Sequence, residues 1–131
     1  GVQLKGLVLE KQYRETKYVD PIEIANDMAR GLKEDKKCHY VICLSHLGYS
    51  YETRVCDTKL AAQTKNLDLI LGGHSHTFLD QPVSCKNLEG KEVLIAQTGF
   101  AGLRLGRIDL LFDFSAGSKG MASNEQIKIL G

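Results

Sequence analysis

No block of like charge, no long apolar stretch and no Cys-x-x-Cys pair occurs in this 131-residue chain. The first absence argues against a nucleic-acid groove or an anionic membrane surface as partner, since both need clustered lysine and arginine. Seventeen basic residues face sixteen acidic ones, for a net charge of +1. The densest charged stretch, residues 33–37, mixes both signs and reads as a solvated helix end. The second absence excludes a transmembrane helix, which needs roughly 20 mostly apolar residues. No secretory leader is visible either. The third absence removes zinc knuckles and dithiol redox motifs. Cys43 lies in an apolar run and reads as a small core residue. Nothing in the spacing of Cys38, Cys56 and Cys85 pairs them, and one disulfide among them stays open. Internal repeats and a domain boundary are also missing. A hydrophobic content of 43% with 25% charged residues is that of one ordinary globular domain.

What is present is a succession of apolar runs and helical patterns. Residues 4–9 suit a short strand. Asp20-Pro21-Ile22-Glu23 opens a helix: Asp20 caps, Pro21 suits the first turn and Glu23 can reach back to the cap. Ile22, Ala25, Met28, Ala29 and Leu32 follow at helical spacing, and the helix is expected to end near Lys36. Residues 40–44 read as a buried strand. Asp57 or Thr58 then caps a second helix carrying Leu60, Ala61 and Thr64, with Asn66 as its stop. Residues 67–71 form the next strand. This order predicts right-handed crossovers and a parallel sheet. Residues 92–97, 104–112 and 126–130 are further strand candidates without long helices between them. Residues 87–90 read as a turn. Residues 115–123 are rich in glycine, serine and alanine and are expected to form a mobile loop, extending to about 125. The fold class is α/β, a parallel βαβ front with a β-rich back.

The histidines stand out against this frame. His74 and His76 follow Gly72-Gly73 directly after the 67–71 strand, and His46 follows the 40–44 strand. Sites in open parallel sheets form beyond the carboxyl ends of the strands. Neutral imidazole is a good ligand for zinc, iron and other transition metals. The two glycines permit a tight turn and close approach of another group. His46, His74 and His76 are therefore the candidate metal ligands. His39, near the start of its strand, is read as an ordinary part-buried histidine.

Leu44-Ser45-His46-Leu47-Gly48, followed by Asp68-Leu69-Ile70-Leu71-Gly72-Gly73-His74-Ser75-His76-Thr77, resembles the later half of a calcineurin-like metallophosphoesterase. Within that superfamily the chain is most similar to the 5′-nucleotidase and UDP-sugar hydrolase branch. Ala96-Gln97-Thr98-Gly99, Leu105-Gly106-Arg107-Ile108-Asp109-Leu110 and the helix opening at Asp20-Pro21 resemble the same branch. The likeness runs from near Gly1 to Phe114. It implies that residues 1–131 are a partial domain, the C-terminal half of an α/β/β/α sandwich. It implies two divalent ions, zinc, manganese or similar, which activate a water and clamp a phosphate. His46 and His74 would bind one ion and His76 the other, with Ser75 and Thr77 supporting the ligands as a second layer. The implied substrates are phosphate esters, nucleotides among them, and the implied location is periplasmic or otherwise extracytoplasmic.

The departures from the family pattern matter as much. Asp-x-His, Gly-Asp-x-x-Asp and Gly-Asn-His-Asp or Gly-Asn-His-Glu do not occur here. By the resemblance those segments carry the bridging Asp, further ligands and the catalytic His, so no catalytic residue is assigned to this chain. Asp68 opens its strand far from His74, Asp80 suits a turn, and Asp109 and Asp113 look solvent-facing. Arg104 and Arg107 are best accounted for by surface salt bridges. The expectation is a partial or empty metal site, inactive alone, whose partner is the N-terminal half of the same catalytic domain. Uncovered sheet surface also predicts self-association. The alternative reading is a non-catalytic metal-binding or interaction module.

Overall fold

The computed structural model describes residues 1–112 and 122–123. Within them three helices accompany a four-stranded sheet, and the second and third cover one of its faces. The first, α1, is a single turn at Glu10–Tyr13. The second, α2, spans Pro21–Glu34, ending two residues before the expected Lys36, and its start has the expected Asp20 cap and Pro21. The Asp20 carboxylate accepts from the amides of Ile22 (2.7 Å) and Glu23 (3.2 Å), satisfying donors that the first helical turn leaves open. Helix α3, at Asp57–Gln63, is short. Its cap is Cys56, without a side-chain hydrogen bond, rather than Asp57 or Thr58. Asp57 is drawn inward instead and is wholly buried.

Strands β1 (Ile42–Leu44), β2 (Leu69–Leu71), β3 (Val83–Lys86) and β4 (Glu92–Ala96) pair in the order β1-β2-β4-β3. The first two pairings are parallel and the last antiparallel. Cys43 lies opposite Ile70, and Ile70 opposite Ile95, so one row of apolar side chains crosses the sheet. Ile70, Val93 and Ile95, each 0% exposed, meet Ala29 of α2 and Leu60 and Ala61 of α3 in one core. Burying each large aliphatic side chain contributes about 1.5–3 kcal/mol. At the entrance to the sheet, the Asp68 carboxylate accepts from the Val41 amide at 2.6 Å and pairs with Lys33 at 2.8 Å.

The opposite face is covered unevenly. Leu69, Leu94 and Ala96 are buried, and Leu105 and Ile108 line a cavity with Leu71 and Ala96. Over β1 the face is open: Ile42 is 46% and Leu44 81% exposed. β1 is also an edge strand. An apolar depression of about 660 Å³ beside it is lined by Leu4, Tyr18, Ile24, Met28, Cys43 and Leu44, among others.

Two strand expectations fail. Residues 4–9 form a turn, closed by Leu7 and Val8 amides donating to the Leu4 carbonyl, with only a single bridge between Lys5 and Val8. Leu7 and Leu9 are more than half exposed, because no described strand offers them a ladder. Of residues 104–112, only Leu111–Phe112 is strand, β5, paired with β6 at Ala122–Ser123. An apolar run makes a strand only where a neighbour accepts its hydrogen bonds. The expected strand at 126–130 and most of the expected loop, 115–121, lie outside the described residues. Among those described, all four cysteines are free.

Candidate metal centre

The parallel register of β1 and β2 brings their carboxyl ends side by side, with Leu44 opposite Leu71. Two residues past β1 stands His46, and three past β2 stands His74. Their rings lie 5.2 Å apart, centroid to centroid, inclined at 65°. His76 turns elsewhere and stacks on Phe100 at 4.9 Å and 20°. Both His74 (φ 74°) and His76 (φ 54°) occupy the left-handed region, uncommon for residues other than glycine. Such a conformation persists only when its surroundings impose it.

Gln97, just past β4 and 2% exposed, does much of the imposing. Its Oε1 accepts from the Thr77 amide at 2.5 Å and from Ser75 Oγ at 3.0 Å, while its Nε2 donates to the Gly73 carbonyl at 3.0 Å. Ser75 Oγ in turn accepts from the Tyr49 amide at 2.9 Å and lies 2.8 Å from Thr77 Oγ1. Ser75 and Thr77 thus lock the loop to β4 and to the chain after His46. Backbone bonds complete the frame: the Gly72 amide donates to Ala96 and the Ser45 amide to Leu71, both at 2.8 Å. Sequence reasoning gave Gln97 no role. Its signals were an amide side chain at the end of an apolar strand and its place in the Ala96-Gln97-Thr98-Gly99 segment that resembles the family.

Asp57 was also missed, read only as a possible cap. It is 0% exposed, and Ser45 Oγ donates to its Oδ1. Its Oδ2 is buried without a hydrogen-bond partner. Burial pushes this carboxyl up to about 6, against the opposing pull of the Ser45 hydrogen bond and of His46. His74 is held below the ordinary histidine value, first by desolvation and then by the positive charges of Arg54, His46 and His76. A depressed value keeps the imidazole neutral, the form that binds metals.

The remaining charged candidates are engaged away from the histidine pair. Asp80 pairs with Arg104 at 2.5 Å, and Arg107 with Asp109 at 3.0 Å. Arg104 also lies over the Phe78 ring at 4.9 Å. Asp113 lies outside the described residues. Among the described residues no three His, Cys, Asp or Glu side chains gather into a metal-holding group. The donor set therefore suits one side of an ion, two neighbouring imidazoles, and supplies no carboxylate for the other side.

Compared with family models, the chain matches none. It is 35% identical over 94 residues to the trifunctional nucleotide phosphoesterase protein YfkN of Bacillus subtilis, covering 72% of this chain and 6% of that protein. It is 32% identical over 111 residues to an apyrase of Tabanus yao, covering 73% of this chain and 19% of the apyrase. Among solved structures, the 5′-nucleotidase precursor of Thermus thermophilus superposes with a TM-score of 0.66 at 31% identity, over 85% of this chain and 23% of that one. The chain thus spans less than a quarter of the length of each of these relatives.

Proposed function

We propose that this chain, which belongs to the 5′-nucleotidase branch of the calcineurin-like metallophosphoesterases, supplies the histidine side of a two-metal phosphoesterase centre acting on nucleotides. The observation that carries this reading is the convergence of His46 and His74, 5.2 Å apart at the carboxyl ends of adjacent parallel strands. His46 and His74 would hold one divalent ion and His76 the second. When bound, such a pair of ions lowers the pKa of a water and clamps the phosphoryl oxygens of an in-line displacement. The chain's own residues do the positioning. Gln97, Ser75 and Thr77 fix the loop that carries both its histidines. Phe100 holds the His76 ring by stacking.

The carboxylate ligands and the catalytic His then come from a partner segment, the N-terminal half of the same catalytic domain. The open edge of β1 and the apolar depression beside it support this, since a further strand laid along β1 would cover Leu44 and Met28. The isolated chain is then inactive, and its place of action is outside the cytoplasm, in line with the Thermus relative's designation as a precursor.

The experiment is a graft. This chain replaces the matching segment of the Thermus 5′-nucleotidase, and phosphate release from AMP is measured with Zn²⁺ or Mn²⁺. The graft should hydrolyse AMP only with metal, and His74→Ala should abolish turnover. A folded graft that binds metal without hydrolysis would favour a binding module instead. Undiminished turnover by His74→Ala would remove the histidine from the site.

A further inference from the structure

One buried carboxylate has no part in the proposed chemistry. Asp57 is wholly buried, and one of its carboxylate oxygens has no hydrogen-bond partner. An unsatisfied buried oxygen is destabilising, more so when charged. The geometry around the carboxylate indicates what offsets it.

Oδ1 receives the Ser45 hydroxyl, and Ser45 immediately precedes His46. The same hydroxyl oxygen accepts from the Leu47 amide at 3.2 Å, on the other side of His46. The histidine is thus held in a small turn whose centre is the Ser45 side chain, and Asp57 anchors that side chain. The Asp57 amide donates to the Gly48 carbonyl at 2.8 Å and the Thr58 amide to Tyr49 at 3.1 Å, so the start of α3 grips the loop after His46 as well. Oδ2 lies against Gly72, where a Cβ would stand 2.2 Å from it. The neighbouring Gly73 is the residue on which His46 rests: a Cβ there would stand 3.1 Å from His46 Nδ1. Gly73 leads directly into His74. One carboxylate therefore touches the turn that carries His46 and the turn that carries His74.

We infer that Asp57 is a positioning residue: through Ser45 on one side and Gly72 on the other, its carboxylate sets the separation of the His46 and His74 rings. The inference deepens the proposed reading of that pair as ligands to one ion, and rests on it for its functional meaning. A ring separation set before metal arrives leaves less reorganisation for binding to offset. Residues that orient ligands in this way typically alter metal affinity about 10–100-fold when removed.

The test needs neither metal nor substrate, so it separates from the graft experiment. Cross-peaks between His46 and His74 ring protons are measured by NMR in the metal-free chain and in three variants. Asp57→Ala removes the anchor, and Ser45→Ala removes its link to His46 while leaving the carboxylate. Leu60→Ala opens a cavity in the same helix while leaving both the Asp57 carboxylate and the Ser45 hydroxyl that bonds it. Loss of the cross-peaks in Ser45→Ala, and in Asp57→Ala if it folds, with retention in Leu60→Ala, is the expected result. Cross-peaks of wild-type intensity in Ser45→Ala would overturn the inference. So would their loss in Leu60→Ala, since general loosening of α3 would then explain the effect.

Discussion

Gly72 has no room for a side chain. A Cβ would meet Asp57 Oδ2 at 2.2 Å and Gln97 Nε2 at 3.1 Å. Because the nearer atom belongs to a buried, anchored carboxylate, Gly72→Ala should destabilise the chain by at least about 1–3 kcal/mol, the usual range for overpacking. Urea unfolding midpoints check this. The sequence marked Gly72 as a turn residue, but its constraint is space: its φ is not positive. Asp57 itself makes stability depend on pH. Its carboxyl titrates near 3.8 when free and at about 6 in the fold. The native state therefore holds this proton more tightly than the unfolded state. The contribution is fully present below pH 3.8 and falls away as pH rises through about 6. Relative to Asp57→Asn, the wild type should lose on the order of 3 kcal/mol between about pH 3.5 and 7, since each tenfold difference in proton affinity between the two states is worth about 1.4 kcal/mol. Parallel urea titrations at the two pH values, compared between the proteins, test it. A constant difference would contradict the burial of an ionisable group there.

At the scale of elements, the loop at 72–79 behaves as an extension of β4 rather than a free connection. Gln97 supplies its internal hydrogen bonds, and the Leu79 amide donates to the Gln97 carbonyl at 3.1 Å. Gln97→Ala would leave the part-buried Thr77 amide without its acceptor, a loss of up to about 1–3 kcal/mol. Amide exchange at Thr77 should then accelerate by roughly 5–150-fold, as that energy implies, while exchange in β2 stays near the wild-type rate. The helices were the more legible elements. Asp20-Pro21 and the spacing of Ile22, Ala25, Ala29 and Leu32 located α2 because caps and helical hydrogen bonds are local in sequence. The strands at 69–71 and 92–96 were legible because burial on both faces demands continuous apolar runs, and 42–44 because it is the same kind of run, although one of its faces is open here. β3 carries Ser84 and Lys86 outward and went unread, since half its side chains are exposed and its partner is a neighbouring strand.

For the whole molecule, the decisive feature is the uneven cover of the sheet. Ile42 and Leu44 stand exposed on an edge strand whose outer backbone groups face no described neighbour. Exposed apolar edges template pairing with another chain. Light scattering should therefore find concentration-dependent association of the chain by itself, and Leu44→Lys should suppress it while leaving the unfolding midpoint nearly unchanged. A monodisperse wild type at high concentration would go against the open-edge reading. The sequence by itself determined the family, the α/β class, the helix α2 and the identity of the three histidines, because these rest on residue types at short spacing. It also indicated that the acidic motifs of a two-metal centre are missing from these 131 residues. Only the tertiary structure decided that His46 and His74 meet while His76 turns to Phe100. Only it placed Asp57 and Gln97 behind the histidine loops, and left residues 4–9 and 104–110 without ladders. Those outcomes depend on contacts between segments tens of residues apart, set by the order in which parallel strands pair.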